Sequence, residues 1–86
     1  MGFQKLEIEV EDIGENRYRF IARTNTICKT AWYVYLNNKR INVTKYALDN
    51  KQDFKFTEPG TYKVKAFSIN EIELKVSLFS PEIVVS

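Results

Sequence analysis

Apolar and polar residues alternate one for one along most of this chain, and that period of two constrains its fold more than any other feature. In LEIEVE, Leu6, Ile8 and Val10 fall on one side and Glu7, Glu9 and Glu11 on the other. Tyr18, Phe20 and Ala22 then alternate with Arg17, Arg19 and Arg23, and Trp32, Val34 and Leu36 alternate with Tyr33 and Tyr35. Two segments of weaker pattern follow, INVTKYAL and KQDFKFTE, the second with Phe54 and Phe56 in phase. Tyr62, Val64 and Ala66 next oppose Lys63, Lys65 and Phe67, and Ile72, Leu74, Val76 and Leu78 oppose Glu73, Lys75, Ser77 and Phe79. Successive side chains of a strand point to opposite faces, so each segment reads as a strand with one buried face. No window carries a helical stripe of comparable strength.

The punctuation agrees. DIGEN at 12–16, the asparagines at 37–38, DN at 49–50, EPG at 58–60 and NE at 70–71 supply turn chemistry between these segments. Pro59 followed by Gly60 suits a type II turn, in which proline presets a negative φ and glycine supplies the positive one. About seven antiparallel strands in fewer than 100 residues predict an all-β, immunoglobulin-like or fibronectin-III-like sandwich. Two of its fixtures are present. Tyr62, just after Gly60, stands where a tyrosine corner closes onto upstream backbone, and Trp32 in the third strand supplies an indole for the space between sheets. A small barrel would place glycines inside strands, whereas these lie at positions 2, 14 and 60, near strand ends.

With 86 residues there is apolar surface for one core, so residues 1–86 are expected to form a single domain. The opening Met1–Gly2 is compatible with a domain excised from a larger protein, and Leu6 stands where a myristoylation motif needs serine or threonine. No signal-peptide pattern opens the chain, and no apolar run approaches the roughly 20 residues of a membrane span. Thirteen basic and eleven acidic side chains give a net charge of +2, too small an excess to predict nucleic-acid binding. The lone Cys28, expected near the loop after the second strand, excludes an intramolecular disulfide framework.

AWYVYLNNKRI, followed about twenty residues later by FKFTEPGTYKVKAF, resembles the three-tyrosine (triple tyrosine motif) domain over roughly residues 18–78. That resemblance rests on Tyr33, Tyr35 and Tyr62, with Trp32 and Gly60 in supporting places. It implies an immunoglobulin-like module of bacterial two-component regulators or of clostridial tandem-repeat proteins, without enzymatic activity. An extracytoplasmic or cell-surface setting is implied by the resemblance alone.

The residues themselves predict no catalytic, cofactor or metal site. There is no histidine to act as general base, ligand or partner to Cys28. The acids Glu7, Glu9, Glu11, Asp12 and Glu15 lack the alternating ligand order of a calcium loop. The better explanation is a cross-strand charge ladder, with Glu7 and Glu9 facing outward on the first strand and Arg17, Arg19 and Arg23 on the second. The tripeptide NVT at 42–44 matches a glycosylation acceptor but is common by chance.

Binding is the remaining possibility. If the third, sixth and seventh strands share a sheet, Tyr33, Tyr35, Phe67 and Phe79 cluster outward beside Lys63, Lys65 and Lys75. An aromatic patch rimmed by charge marks contact with neighbouring domains or another protein. Two readings stand beside it: a carbohydrate module stacking sugars on Tyr33 and Tyr35, and simple shielding of the sheet by the rings and lysine stems. The sugar reading normally needs amides or carboxylates beside the rings, and the lysines here favour a protein or a polyanionic polysaccharide.

Overall fold

The computed structural model describes residues 5–86, so Met1–Gly2 lies outside the described residues. Eight strands form, with no helix among the described residues. They are β1 Leu6–Gly14, β2 Arg17–Thr24, β3 Cys28–Leu36, β4 Lys39–Val43, β5 Lys51–Lys55, β6 Gly60–Asn70, β7 Lys75–Phe79 and β8 Ile83–Val85. A three-stranded sheet runs β1-β2-β5, and a five-stranded sheet runs β4-β3-β6-β7 with β8 also on β6. All pairings are antiparallel. The fold is a small β-sandwich.

The alternation seen in the sequence sets which face of each sheet is dry. Phe20, Ala22, Trp32, Val34, Phe54, Phe56, Tyr62, Val64, Ala66 and Val85 form the core, with Leu6, Ile8, Val10 and Tyr18 packed against it. Trp32 is 1 % exposed, which settles the phase of β3: Trp32, Val34 and Leu36 point inward and Tyr33 and Tyr35 outward. Aromatic rings carry much of the packing. Phe20 lies 5.8–6.2 Å from the rings of Trp32, Phe54 and Phe56, and Phe56 stacks on Tyr62 at 4.0 Å.

Tyr62 does close a corner. Its hydroxyl donates to the carbonyl of Glu58 at 2.7 Å, four residues upstream, while the residue as a whole is 2 % exposed. Gly60 departs from the type II turn expected of it. It is the first residue of β6 and adopts φ +145°, not the roughly +80° of that turn. The requirement for glycine comes from crowding as well as φ, because a Cβ there would lie 2.6 Å from Leu36 Cδ1.

Two boundaries are corrected. The turn after β3 is the asparagine pair expected, Asn37–Asn38, both with positive φ, but β4 starts directly after it at Lys39, two residues before INVTKYAL, with Leu36 paired to Lys39 across the loop. Asparagine tolerates that conformation, so Lys39 and Arg40 belong to β4. The turn after β6, by contrast, extends to Leu74. Asn70 Oδ1 accepts the amides of Ile72 and Leu74, Glu73 takes φ +62°, and Ile72 ends 81 % exposed instead of inward. The last strand is broken at Ser80–Pro81, as the proline leads one to expect, so that eight strands stand where about seven were expected. Proline has no N–H for the ladder, and Ser80 bridges the gap. Its amide donates to the Val64 carbonyl at 2.7 Å and its hydroxyl accepts the Val64 amide at 3.0 Å. The apolar Ile83–Val85 beyond the break continues the sheet as β8.

Candidate functional site

The register of the five-stranded sheet brings four rings from three strands onto its outer face. Tyr33 lies opposite Lys65 and Tyr35 opposite Lys63, while Lys65 on its other side lies opposite Phe79. The Tyr33 and Phe67 rings meet at 4.6 Å, and Tyr35 meets Phe79 edge-on at 5.7 Å. Tyr33, Tyr35, Phe67, Lys63 and Lys65 are half-buried by one another, and Phe79 is 43 % exposed. These residues, drawn together from the sequence, do form one patch. Trp32, Gly60 and Tyr62 lie apart from it and serve the core and the corner.

Cations cover the rings. Lys63 Nζ sits 4.7 Å and Lys65 Nζ 4.9 Å from the Phe79 centroid, and Lys65 is also 5.0 Å from Phe67. The Arg40 guanidinium lies 5.3 Å over Tyr33. Each contact of this kind at an exposed site contributes about 0.5–1 kcal/mol. Arg40 was missed by sequence reasoning because the segment after Asn37–Asn38 is weakly patterned and shows no strand phase before Ile41. Lys29 was missed because its distance along β3 from the tyrosines hides that it shares their outward parity.

Charge is segregated between the sheets. The five strands β3, β4, β6, β7 and β8 contain Lys29, Lys39, Arg40, Lys63, Lys65 and Lys75, and among the described residues no Asp or Glu. Carboxylates lie instead on β1, on β5 and in loops.

The opposite sheet carries the ladder expected of β1 and β2, with partners shifted. Arg23 faces Glu7 in the register but bonds to Glu9, and Arg19 faces Glu11 but turns to Asp53 on β5, its Nε 2.9 Å from Oδ1. Arg17 reaches Glu15 at 3.5 Å. The hydrogen bond from Arg23 holds the Glu9 carboxyl below the usual carboxylate range, and that from Arg19 does the same for Asp53.

Elsewhere the chemistry is spare. Among the described residues no group of three or more His, Cys, Asp or Glu side chains is arranged to hold a metal ion. Nor is there, among them, a helix long and apolar enough to cross a membrane. Cys28 opens β3 opposite Asn70, half-buried, on a cleft of about 480 Å³ that Ile27, Leu48, Ile69 and Glu71 also line. Asn42, the acceptor of NVT, is exposed in β4, and its side-chain oxygen takes the Val43 amide at 2.9 Å.

No protein-family model, curated protein or solved structure matches the chain.

Proposed function

We propose that this chain is a non-catalytic accessory module that contacts neighbouring domains or another protein through the outer face of its five-stranded sheet. The observation that carries the reading is the assembly of Tyr33, Tyr35, Phe67 and Phe79 on one sheet face, ringed by side chains of a single sign. Contact surfaces have this anatomy, with aromatics enriched at the centre and a polar, solvent-accessible rim. A chain without histidine, whose single cysteine therefore has no imidazole to activate it, supports a role outside catalysis.

The strand order β1-β2-β5 facing β4-β3-β6-β7 supports a fibronectin-III-like form of the immunoglobulin arrangement. Assignment to the three-tyrosine family, and with it a bacterial signalling or cell-surface setting, rests on Trp32, Tyr33, Tyr35, Gly60 and Tyr62. In that reading the tyrosines divide their work: Tyr62 holds a corner, and Tyr33 and Tyr35 form the contact face.

Recognition of a neutral sugar is disfavoured by the cations. Sugar stacking needs a bare ring, and Tyr33, Phe67 and Phe79 each already carry a cation. Amide NMR spectra of the labelled chain, recorded while neutral and anionic cell-wall oligosaccharides are added, test the reading. Neutral sugars are expected to leave Tyr33, Tyr35 and Phe67 unshifted. Saturable shifts there would replace a protein-contact face with a carbohydrate site.

A further inference from the structure

From the charge of this sheet we infer that its partner is a protein surface that is apolar at its centre and acidic at its rim. The inference rests on the contact-face reading above and adds the partner's chemistry. Its ground is that the strands of the sheet hold no carboxylate and that the register sets five of their six cations, Lys29, Arg40, Lys63, Lys65 and Lys75, on the outer face, in a chain whose overall charge is only +2. A face with one sign of charge is left uncompensated within its own sheet. By contrast, Arg19 and Arg23 on the other sheet have Asp53 and Glu9. Among the described residues Lys63 and Lys65 form no ion pair and contact rings: their ammoniums gather at Phe79, where an arriving carboxylate adds a charge-assisted hydrogen bond to each cation–π contact.

Shape favours a folded partner over a polymer. The outer face is the broad side of a five-stranded sheet, and the two longer extents of the molecule are 44 and 24 Å. A face of that size has room for the roughly 800 Å² per partner of a standard protein interface. Lys29 and Lys75 flank Ile69 at one end of it, while Arg40 and Lys63 flank Tyr35 toward the other, so cations bracket an apolar centre. A linear polyanion would use the cations and leave that centre bare; a protein with an apolar centre would cover it.

Three probes of one length test this: oligo-L-glutamate, a glutamate peptide in which every third residue is leucine, and oligogalacturonate. Each is titrated into the labelled full chain by amide NMR. The expected result is saturable shifts at Lys29, Tyr33, Tyr35, Lys63, Lys65, Phe67 and Phe79. The leucine-containing peptide should bind most tightly despite its lower charge. Its binding should weaken about tenfold between roughly 0.05 and 0.3 M salt, as expected of exposed charge pairs. A Lys63→Gln/Lys65→Gln variant, melting lower for the loss of its cation–π contacts but still folded at the assay temperature, should weaken it about as much. If affinity instead follows charge alone, or oligogalacturonate binds best, the face is a polyanion binder and the inference is overturned while the contact face stands. Shifts confined to β1, β2 and β5 would overturn both.

Discussion

Removing one oxygen, in Tyr62→Phe, isolates what the corner contributes. The hydroxyl donates to the Glu58 carbonyl at 2.7 Å, and the ring below it stacks on Phe56 at 4.0 Å and 11°. Phenylalanine keeps the stacking and the buried area, so the change deletes one hydrogen bond and leaves one carbonyl without its partner. A net hydrogen bond contributes about 0.5–1.5 kcal/mol, and a carbonyl stranded away from water costs about 1–3 kcal/mol. Glu58 is exposed, and water can reach its carbonyl once the hydroxyl is gone, which places the loss near about 1 kcal/mol. In a domain of this size that lowers the melting temperature by about 4–8 °C. Urea unfolding followed by Trp32 fluorescence reads the change as a lower midpoint at constant slope. A midpoint indistinguishable from the parent would refute the corner as a stabilising bond, and a changed slope would show that the residual structure of the unfolded chain had been altered instead. Tyr62→Ala, which also removes the stacking, should cost about 3–5 kcal/mol.

Other perturbations probe separate parts of the molecule. Gly60→Ala places a methyl 2.6 Å from Leu36 Cδ1 and 3.0 Å from the Asn37 amide at a φ that L-residues rarely adopt. A loss of about 1–3 kcal/mol is expected in the same urea assay, and no loss would mean that neither contact constrains the turn. Trp32, at 1 % exposure, should emit well to the blue of free tryptophan and resist acrylamide; red-shifted, quenchable emission would invert the phase assigned to β3. Hydrogen bonds from Arg23 and Arg19 hold the Glu9 and Asp53 carboxyls below the ordinary carboxylate range, so the stability they add is present above that range. It is lost as pH falls through the depressed folded values. Glu9→Gln should therefore flatten the acid limb of a melting-temperature profile below about pH 4.5, and an unchanged limb would remove Glu9 from acid sensitivity.

The parts of the fold legible in the sequence are those in which one residue type answers one physical need. Trp32 and Val34 mark the dry side of β3 because period two is rigid in a strand, and Tyr62 after Pro59–Gly60 marks a corner. What escaped were the limits of turns. Leu74 continues the alternation of β7 on paper, yet Asn70 draws its amide into the loop. Arg40 escaped because alternation after Asn37–Asn38 is weak, and only the register, shifted between Val34 and Tyr35, sets it opposite Tyr35. The aromatic face was foreseeable from alternation, but its freedom from carboxylates needed the pairing of β3, β6 and β7 to become a property of one surface. Arg19 and Arg23 show the same limit at small scale, since register places them opposite acids other than those they bind.

The break at Ser80–Pro81 has a consequence for how the molecule behaves in a crowd of its own kind. Strands β7 and β8 form one margin of the five-stranded sheet, and a margin of open amides and carbonyls is a template on which another chain can add. An uninterrupted strand beside all of β6 would offer a row as long as that strand's 11 residues. The break reduces it to pieces of 5 and 3 residues, with a proline between them that cannot donate. At the gap, Ser80 spends its backbone and hydroxyl inward on Val64. An incoming strand could match either piece but not both in one register, so the interruption guards against edge-to-edge aggregation without removing a single strand from the sandwich.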